Sequence, residues 1–206
     1  MPVIKVCVAF KAHIGWVNAV AIDIDAASPR PVQAQRLELV SGESREVVEP
    51  YHVAGGWLGL KNIGRPDNPE AVIRQGKSKQ LLAAKKHLVR YREQLADSEL
   101  QWVGSVILTT RGRLGDDLES ILGSHAHIHI AEGEAIRNAI RQALMALDMH
   151  YVEQDEKSIL GLASRRLKLS ESECDSTLKE LKPSGTKSWR KEERLIALGA
   201  WLNRNC

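Results

Sequence analysis

The chain is poor in the features that most often announce a function. It has three cysteines, Cys7, Cys174 and Cys206, an odd number with no Cys-x-x-Cys pair, which argues against a disulfide framework and against the common zinc-finger spacings. One Phe stands against five Trp, and aromatics make up only 4% of the 206 residues. No stretch approaches the ~20 consecutive apolar residues of a membrane-spanning helix, and MPVIKVCVAF lacks the charged, apolar and small-residue order of a signal peptide. These absences predict a cytoplasmic protein without a membrane partner. Phosphate-loop, dinucleotide and nucleophile-elbow motifs are missing too, so the residues name no cofactor. A formal net charge of +3 is too small by itself to announce a polyanionic partner.

What is present is an ordinary soluble composition, 43% hydrophobic and 27% charged. The length suits one domain over residues 1–206, with 151–206 as a mainly helical C-terminal part. Charge is unevenly spread. Between Glu70 and Glu93 there are seven basic residues (Arg74, Lys77, Lys79, Lys85, Lys86, Arg90 and Arg92) and no acidic one.

Three Val- and Ile-rich segments, VIKVCVAF, GWVNAVAIDID and PVQAQRLELV, read as successive antiparallel strands. Residues 41–69, with their Gly, Pro and Asn, read as a long connection. From Pro69 to about Leu95, apolar residues recur at helical spacing, and Lys79, Lys86 and Arg90 project from the opposite face. WVGSVILTT is a short continuous apolar run of the buried-strand kind, and RGRLGDD a turn. A helix is expected from about Glu132 to Asp148, then a last strand in HYVEQDE. SILGLASRRL, SECDSTLKEL and WRKEERLIALGAWL read as C-terminal helices, the last capped by Ser188.

The succession of strand, strand, strand, helix, strand, helix, strand and helices resembles the ribonuclease H-like α/β fold, a five-stranded mixed sheet flanked by helices. Within it the chain is similar to Holliday-junction resolvases of the RuvC type. KAHIGWVNAVAI has Gly15 and Trp16 where that family turns from its first strand into a Gly-aromatic pair. AEGEAIRNAIRQALMALDMHYVEQDEKSI resembles its small-residue helix and short strand, and GTKSWRKEERLIAL its Gly-containing loop and Lys-rich helix. The resemblance implies a two-metal nuclease, in which carboxylates from the first strand, the end of the fourth strand and the last helix converge on two Mg²⁺ ions. The end of the first strand here offers Phe10, Lys11 and His13, and the fourth strand ends in Thr109, Thr110 and Arg111. The acids left are Asp116, Asp117, Glu192 and Glu193. A lysine repels a divalent ion where a carboxylate would recruit it. A relative that binds without the standard cleavage, or one with a rebuilt site, is expected.

SHAHIHIAEGEAIR, residues 124–137, admits two readings. As a strand, it puts His125, His127 and His129 on one face, like a three-histidine zinc site with an open position for water. As a helix, His125, His129 and Glu132 fall at i, i+4 and i+7 and continue the stripe of Ile136, Ala143 and Leu147, so the first turns would line a cleft. Alternatively, these are surface histidines, or buried ones satisfied by backbone carbonyls.

Two basic clusters suit a phosphate backbone of DNA or RNA: Lys79, Lys86 and Arg90 on the long helix, and Arg190 and Lys191 beside Trp189, where an exposed aromatic would stack on bases. Trp189 packed as an anchor at a helix start is the alternative. Tyr51 and His52 in the long connection either donate to a substrate anion or pin the loop to the sheet. The function expected is nucleic-acid interaction, with Lys11, His13, Arg111 and residues 125–137 bordering a cleft. The rivals are an enzyme rebuilt on His125, His127, His129 and Glu132, with Zn²⁺ or without metal, and an assembly subunit offering exposed Trp residues to a protein partner.

Overall fold

Alternation along the first strand decides what lies on either side of the sheet. The computed structural model describes residues 3–58, 61–110, 112 and 114–205. Strand β1 (Ile4–His13) pairs antiparallel with β2 (Trp16–Asp23) through a two-residue turn, Ile14–Gly15, in which Gly15 takes φ 81°, a conformation that favours glycine. Strand β2 in turn pairs antiparallel with β3 (Pro31–Glu38). Val6, Val8 and Phe10 of β1 enter one core, whereas Cys7 and Ala9 enter another.

The chain from 41 to 69, expected as a bare connection, holds two short helices, α1 (Arg45–Val48) and α2 (Pro50–Ala54), and a small hairpin, β4 (Trp57–Leu58) with β5 (Lys61–Asn62). Elements of one turn are too short to show a helical repeat, and only Pro50 at the first position of α2 signalled the start. The long helix α3 (Pro69–Asp97) follows, opened by Asn68, whose side chain accepts from the Ala71 N–H. Gly76 lets α1 and α2 approach α3 closely: a Cβ there would stand 2.4 Å from the Glu46 carbonyl oxygen and 2.6 Å from Pro50 Cβ. Gln80, fully buried, donates from Nε2 to the Val47 carbonyl at 2.8 Å and fastens the same junction.

Strand β6 (Leu100–Thr109) returns parallel to β1, and β7 (Tyr151–Asp155) lies parallel to β6. The sheet order is therefore β3-β2-β1-β6-β7, a five-stranded mixed sheet. Between β6 and β7 run α4 (Leu118–Leu122) and α5 (His125–Ala146), and after β7 come a 3-10 turn (Glu156–Ser158), α6 (Ile159–Leu167), α7 (Glu171–Glu180) and α8 (Lys191–Leu202). Helices α3 and α5 pack through Ala84, Leu88, Tyr91, Ile136, Ile140 and Leu144 on the Phe10 face. Helices α6, α7 and α8 cover the Cys7 face through Ile159, Leu178, Ile196 and Trp201. No helix among the described residues is long and apolar enough to cross a membrane.

Two boundaries differ from the sequence reading. Helix α5 starts at His125, seven positions before Glu132, because Ser124 caps it by accepting from the His127 N–H. Helix α8 starts at Lys191, not after Ser188: Glu193 accepts from the Arg190 N–H at 2.8 Å, and the backbone from Lys187 to Arg190 is not helical.

Candidate functional site

Lys11, odd-numbered like Cys7 and Ala9, points to the α8 side of the sheet. Its ammonium lies 2.6 Å from Glu156, in the 3-10 turn after β7, and 3.1 Å from Glu192, in the first turn of α8. Glu192 also meets His13 Nε2 at 2.9 Å and accepts from Asn18 Nδ2 at 2.6 Å. His13 stacks on Trp16 with ring centroids 3.8 Å apart, and the Arg36 guanidinium lies 3.9 Å from the centroid of the same indole. Burial alone would lower the Lys11 ammonium and raise the Glu192 carboxyl. The mutual hydrogen bonds and charges outweigh it, so Lys11 is raised and Glu192 is held below the ordinary carboxylate range.

Of the four acids left by the sequence comparison, only Glu192 reaches the end of β1. Asp117 caps α4 by accepting from the Ser120 N–H at 2.7 Å, Glu193 closes the start of α8, and Asp116 is exposed. Glu156 joins the cluster unannounced. It sits in sequence beside the last strand, and only the parallel placement of β7 next to β6 brings it across the sheet end to Lys11.

The histidine segment lies on the other face, because α5 packs with α3 on the Phe10 side. The strand reading fails: 125–130 is helical, and one helical step of two residues turns His127 away, where its Nδ1 donates to the Ser120 carbonyl at 3.2 Å. The set His125, His127 and His129 is therefore replaced by His125, His129 and His52 of α2. Potential ligand nitrogens of these three all lie within 4.8 Å of one another. Their rings meet edge to face, with centroids 4.5 Å apart for His125 and His129, 4.7 Å for His52 and His129, and 5.4 Å for His52 and His125. Trp57 stands beside His125, at 5.1 Å between centroids.

Glu132, one helical turn beyond His129, is 0% exposed. Its Oε1 accepts from the backbone N–H of Tyr51 at 2.8 Å and of His52 at 2.9 Å, and lies 3.2 Å from His52 Nδ1. Its Oε2 is buried with no hydrogen-bond partner among the described residues. Burial, the largest influence, raises the carboxyl above its ordinary value despite the His52 and Tyr51 hydrogen bonds. Lost hydration, and then the neighbouring His52 and His125, lower His129. Beneath the group Ala54, Ile73, Leu122 and Ile128 form a third apolar cluster, which fixes α2 against α5. Tyr51 and His52 thus pin their segment, but to a helix rather than to the sheet.

The single cleft expected from Lys11, His13 and residues 125–137 is accordingly two separate clusters on opposite faces, since Lys11 and Phe10 are neighbours on an alternating strand. Arg111 lies outside the described residues. At the far end of the histidine segment, Glu134 is held by Arg137 at 2.9 Å and Arg141 at 2.6 Å, and Arg141 reaches Glu153 of β7. Lys79, Lys86 and Arg90 are exposed on α3, but Arg190 and Lys191 begin α8 across the sheet, so the basic clusters are two surfaces. Trp189 is half-buried against the α8-side core and donates its indole N–H to the Leu178 carbonyl at 2.7 Å: it is an anchor. All five Trp residues are buried or half-buried, so none is the exposed contact expected of an assembly subunit.

No protein-family model matches this chain, and no curated protein matches its sequence. Among solved structures it is similar to Thermus thermophilus RuvC, with a TM-score of 0.51 and 7% identity over 96% of this chain and 92% of that one. It is similar also to T. thermophilus RuvC in complex with Holliday junction substrate, with a TM-score of 0.51 and 8% identity over 96% of this chain and 90% of that one. With the five-strand order and the helices on both faces, this likeness shows a RuvC-like α/β fold, a mixed five-stranded sheet flanked by helices.

Proposed function

We propose that this chain binds nucleic acid on a RuvC-like scaffold and does not cleave it by the two-metal route. The observation that carries the reading is the solvent face of α3. Six of the seven basic residues between Glu70 and Glu93 are exposed, with no acid among them, and neither Lys86 nor Arg90 forms an ion pair with any described residue. Such a face releases condensed counterions when it lies along a phosphate backbone. The fold likeness to a protein solved with a Holliday junction makes DNA the first substrate to try, with RNA beside it.

Against cleavage stands Lys11. An ammonium between Glu156 and Glu192 supplies from within the chain the positive charge that a divalent ion would bring, and it holds both carboxylates by hydrogen bonds. The test is fluorescence anisotropy with labelled single-stranded, duplex and four-way-junction DNA and matching RNA at several salt concentrations. Micromolar or tighter binding with a steep salt slope, weakened about tenfold or more by Lys86→Glu with Arg90→Glu, supports the reading. No binding at low salt overturns it. Mg²⁺-dependent junction cleavage that is lost in Glu192→Gln would overturn the second half.

A further inference from the structure

We infer that His52, His125 and His129 form a binding site for a zinc-class divalent cation, with Glu132 as the carboxylate that positions His52. The site is on the opposite side of the sheet from Lys11 and does not depend on nucleic-acid binding.

Helical spacing supplies half of it. His125 and His129 are four residues apart on α5 and present neighbouring rings, as two ligands of one ion must. The third ligand arrives from α2, carried by the close contacts of Gly76 and Gln80 that seat α1 and α2 on α3. Glu132 Oε1 already accepts from two backbone N–H groups, so the ring proton of His52 belongs on Nδ1, donated to that oxygen, and Nε2 keeps a free lone pair. A metal-binding imidazole that donates its other N–H to a carboxylate is the usual arrangement behind a metal ion, because it fixes the tautomer and makes the ring a better donor.

The alternative, three imidazoles packed for stability alone, accounts poorly for the composition of the contact. Three polar rings meet one another at 4.5–5.4 Å, while a buried carboxylate oxygen one helical turn away has no partner among the described residues. A cation accounts for the meeting of the rings by giving their open nitrogens a common partner, and it places positive charge near the buried acid. Three imidazole nitrogens without thiolate suit Zn²⁺, Co²⁺ or Ni²⁺ and not Mg²⁺ or Ca²⁺, which need oxygen. Drawing nitrogens that lie within 4.8 Å of one another to the ~3.3 Å between tetrahedral ligands at about 2.0–2.1 Å bonds takes side-chain movements of about an ångström. His129 is exposed, so the fourth position faces solvent and accepts water or an anion.

The test is chelator-competition titration of the whole chain with Zn²⁺, together with the visible spectrum after Co²⁺ loading. One ion per chain and the intense absorption of four-coordinate Co²⁺, shifting on addition of azide, are expected. His129→Ala changes an exposed residue, so circular dichroism should stay as in the parent while affinity falls at least about 100-fold and the Co²⁺ bands vanish. Glu132→Gln should weaken binding by about 10–100-fold. His127→Ala should bind like the parent. Zn²⁺ should raise the melting temperature of the parent and leave that of His129→Ala unmoved. Absence of bound ion in the folded parent, or equal affinity in the parent and His129→Ala, overturns the site. An azide-insensitive spectrum overturns the open fourth position.

Discussion

The two polar clusters of this protein treat burial in opposite ways. Around Lys11, each charge meets an opposite one: the ammonium lies between Glu156 and Glu192, and Glu192 also has His13 and Asn18. There the partners outweigh desolvation, and both Lys11 and Glu192 shift toward their charged forms. Around Glu132, desolvation outweighs the partners, and the carboxyl shifts toward its neutral form. A closed set of opposite charges is a finished structure that leaves little for a ligand to do. A buried acid with one oxygen unpartnered among the described residues, beside three clustered imidazoles, is where a cation has something to gain.

The largest blow to this contrast is Glu132→Ala. It strands the Tyr51 and His52 N–H groups in a buried setting and should cost about 3–5 kcal/mol in denaturant unfolding, whereas Glu132→Gln, which keeps an acceptor, should cost about 1 kcal/mol. Equal losses from both would mean that the carboxylate serves packing only.

Lys11→Met should cost about 1–3 kcal/mol at neutral pH, since the cluster is only partly shielded from water. It should also change the acid limb of stability. Glu192 is depressed in the folded protein, so its contribution is present above the unfolded carboxylate value of about 4.5 and is lost as pH falls through the lower folded value. In Lys11→Met that acid-side loss should be shallower, read from melting temperatures between neutral pH and the acid transition. An unchanged slope would remove the ion pairs as the source of the shift.

Gly76→Ala sharpens the comparison without touching either cluster's side chains. The added methyl meets the Glu46 carbonyl and Pro50 and must displace α1 and α2, at about 1–3 kcal/mol. Because α2 carries His52, Zn²⁺ affinity should fall as well, while the pH dependence set by Lys11 and Glu192 stays as in the parent. The smallest effect belongs to His127→Ala, whose partner is a single exposed carbonyl: stability should move by less than about 0.5 kcal/mol.

Some of this was legible from residue order. Val- and Ile-rich VIKVCVAF, alternating PVQAQRLELV and the apolar run WVGSVILTT gave three of the strands, because a short apolar or alternating stretch is written directly into which face is buried. The i, i+4, i+7 spacing of His125, His129 and Glu132 was equally plain, but HAHIHI also alternates with period two, and six residues cannot separate the two repeats. Ser124 as the cap of α5 is what resolved it. His52 was read only as an anion donor or a loop pin in the connection, and Glu156 carried no signal, since nothing local to either says what it will touch.

Residue order by itself determined the strands, the long amphipathic helices and the basic face of α3, because each is a local repeat set by backbone geometry. Tertiary structure alone decided the rest. The sheet order put Lys11 opposite Glu156 and Glu192, separated by 145 and 181 positions in the chain. A close contact at Gly76 put His52 against α5. Strand alternation then set those two groups on opposite faces of one sheet. Neighbours so distant in sequence are chosen by packing, which no window of adjacent residues contains.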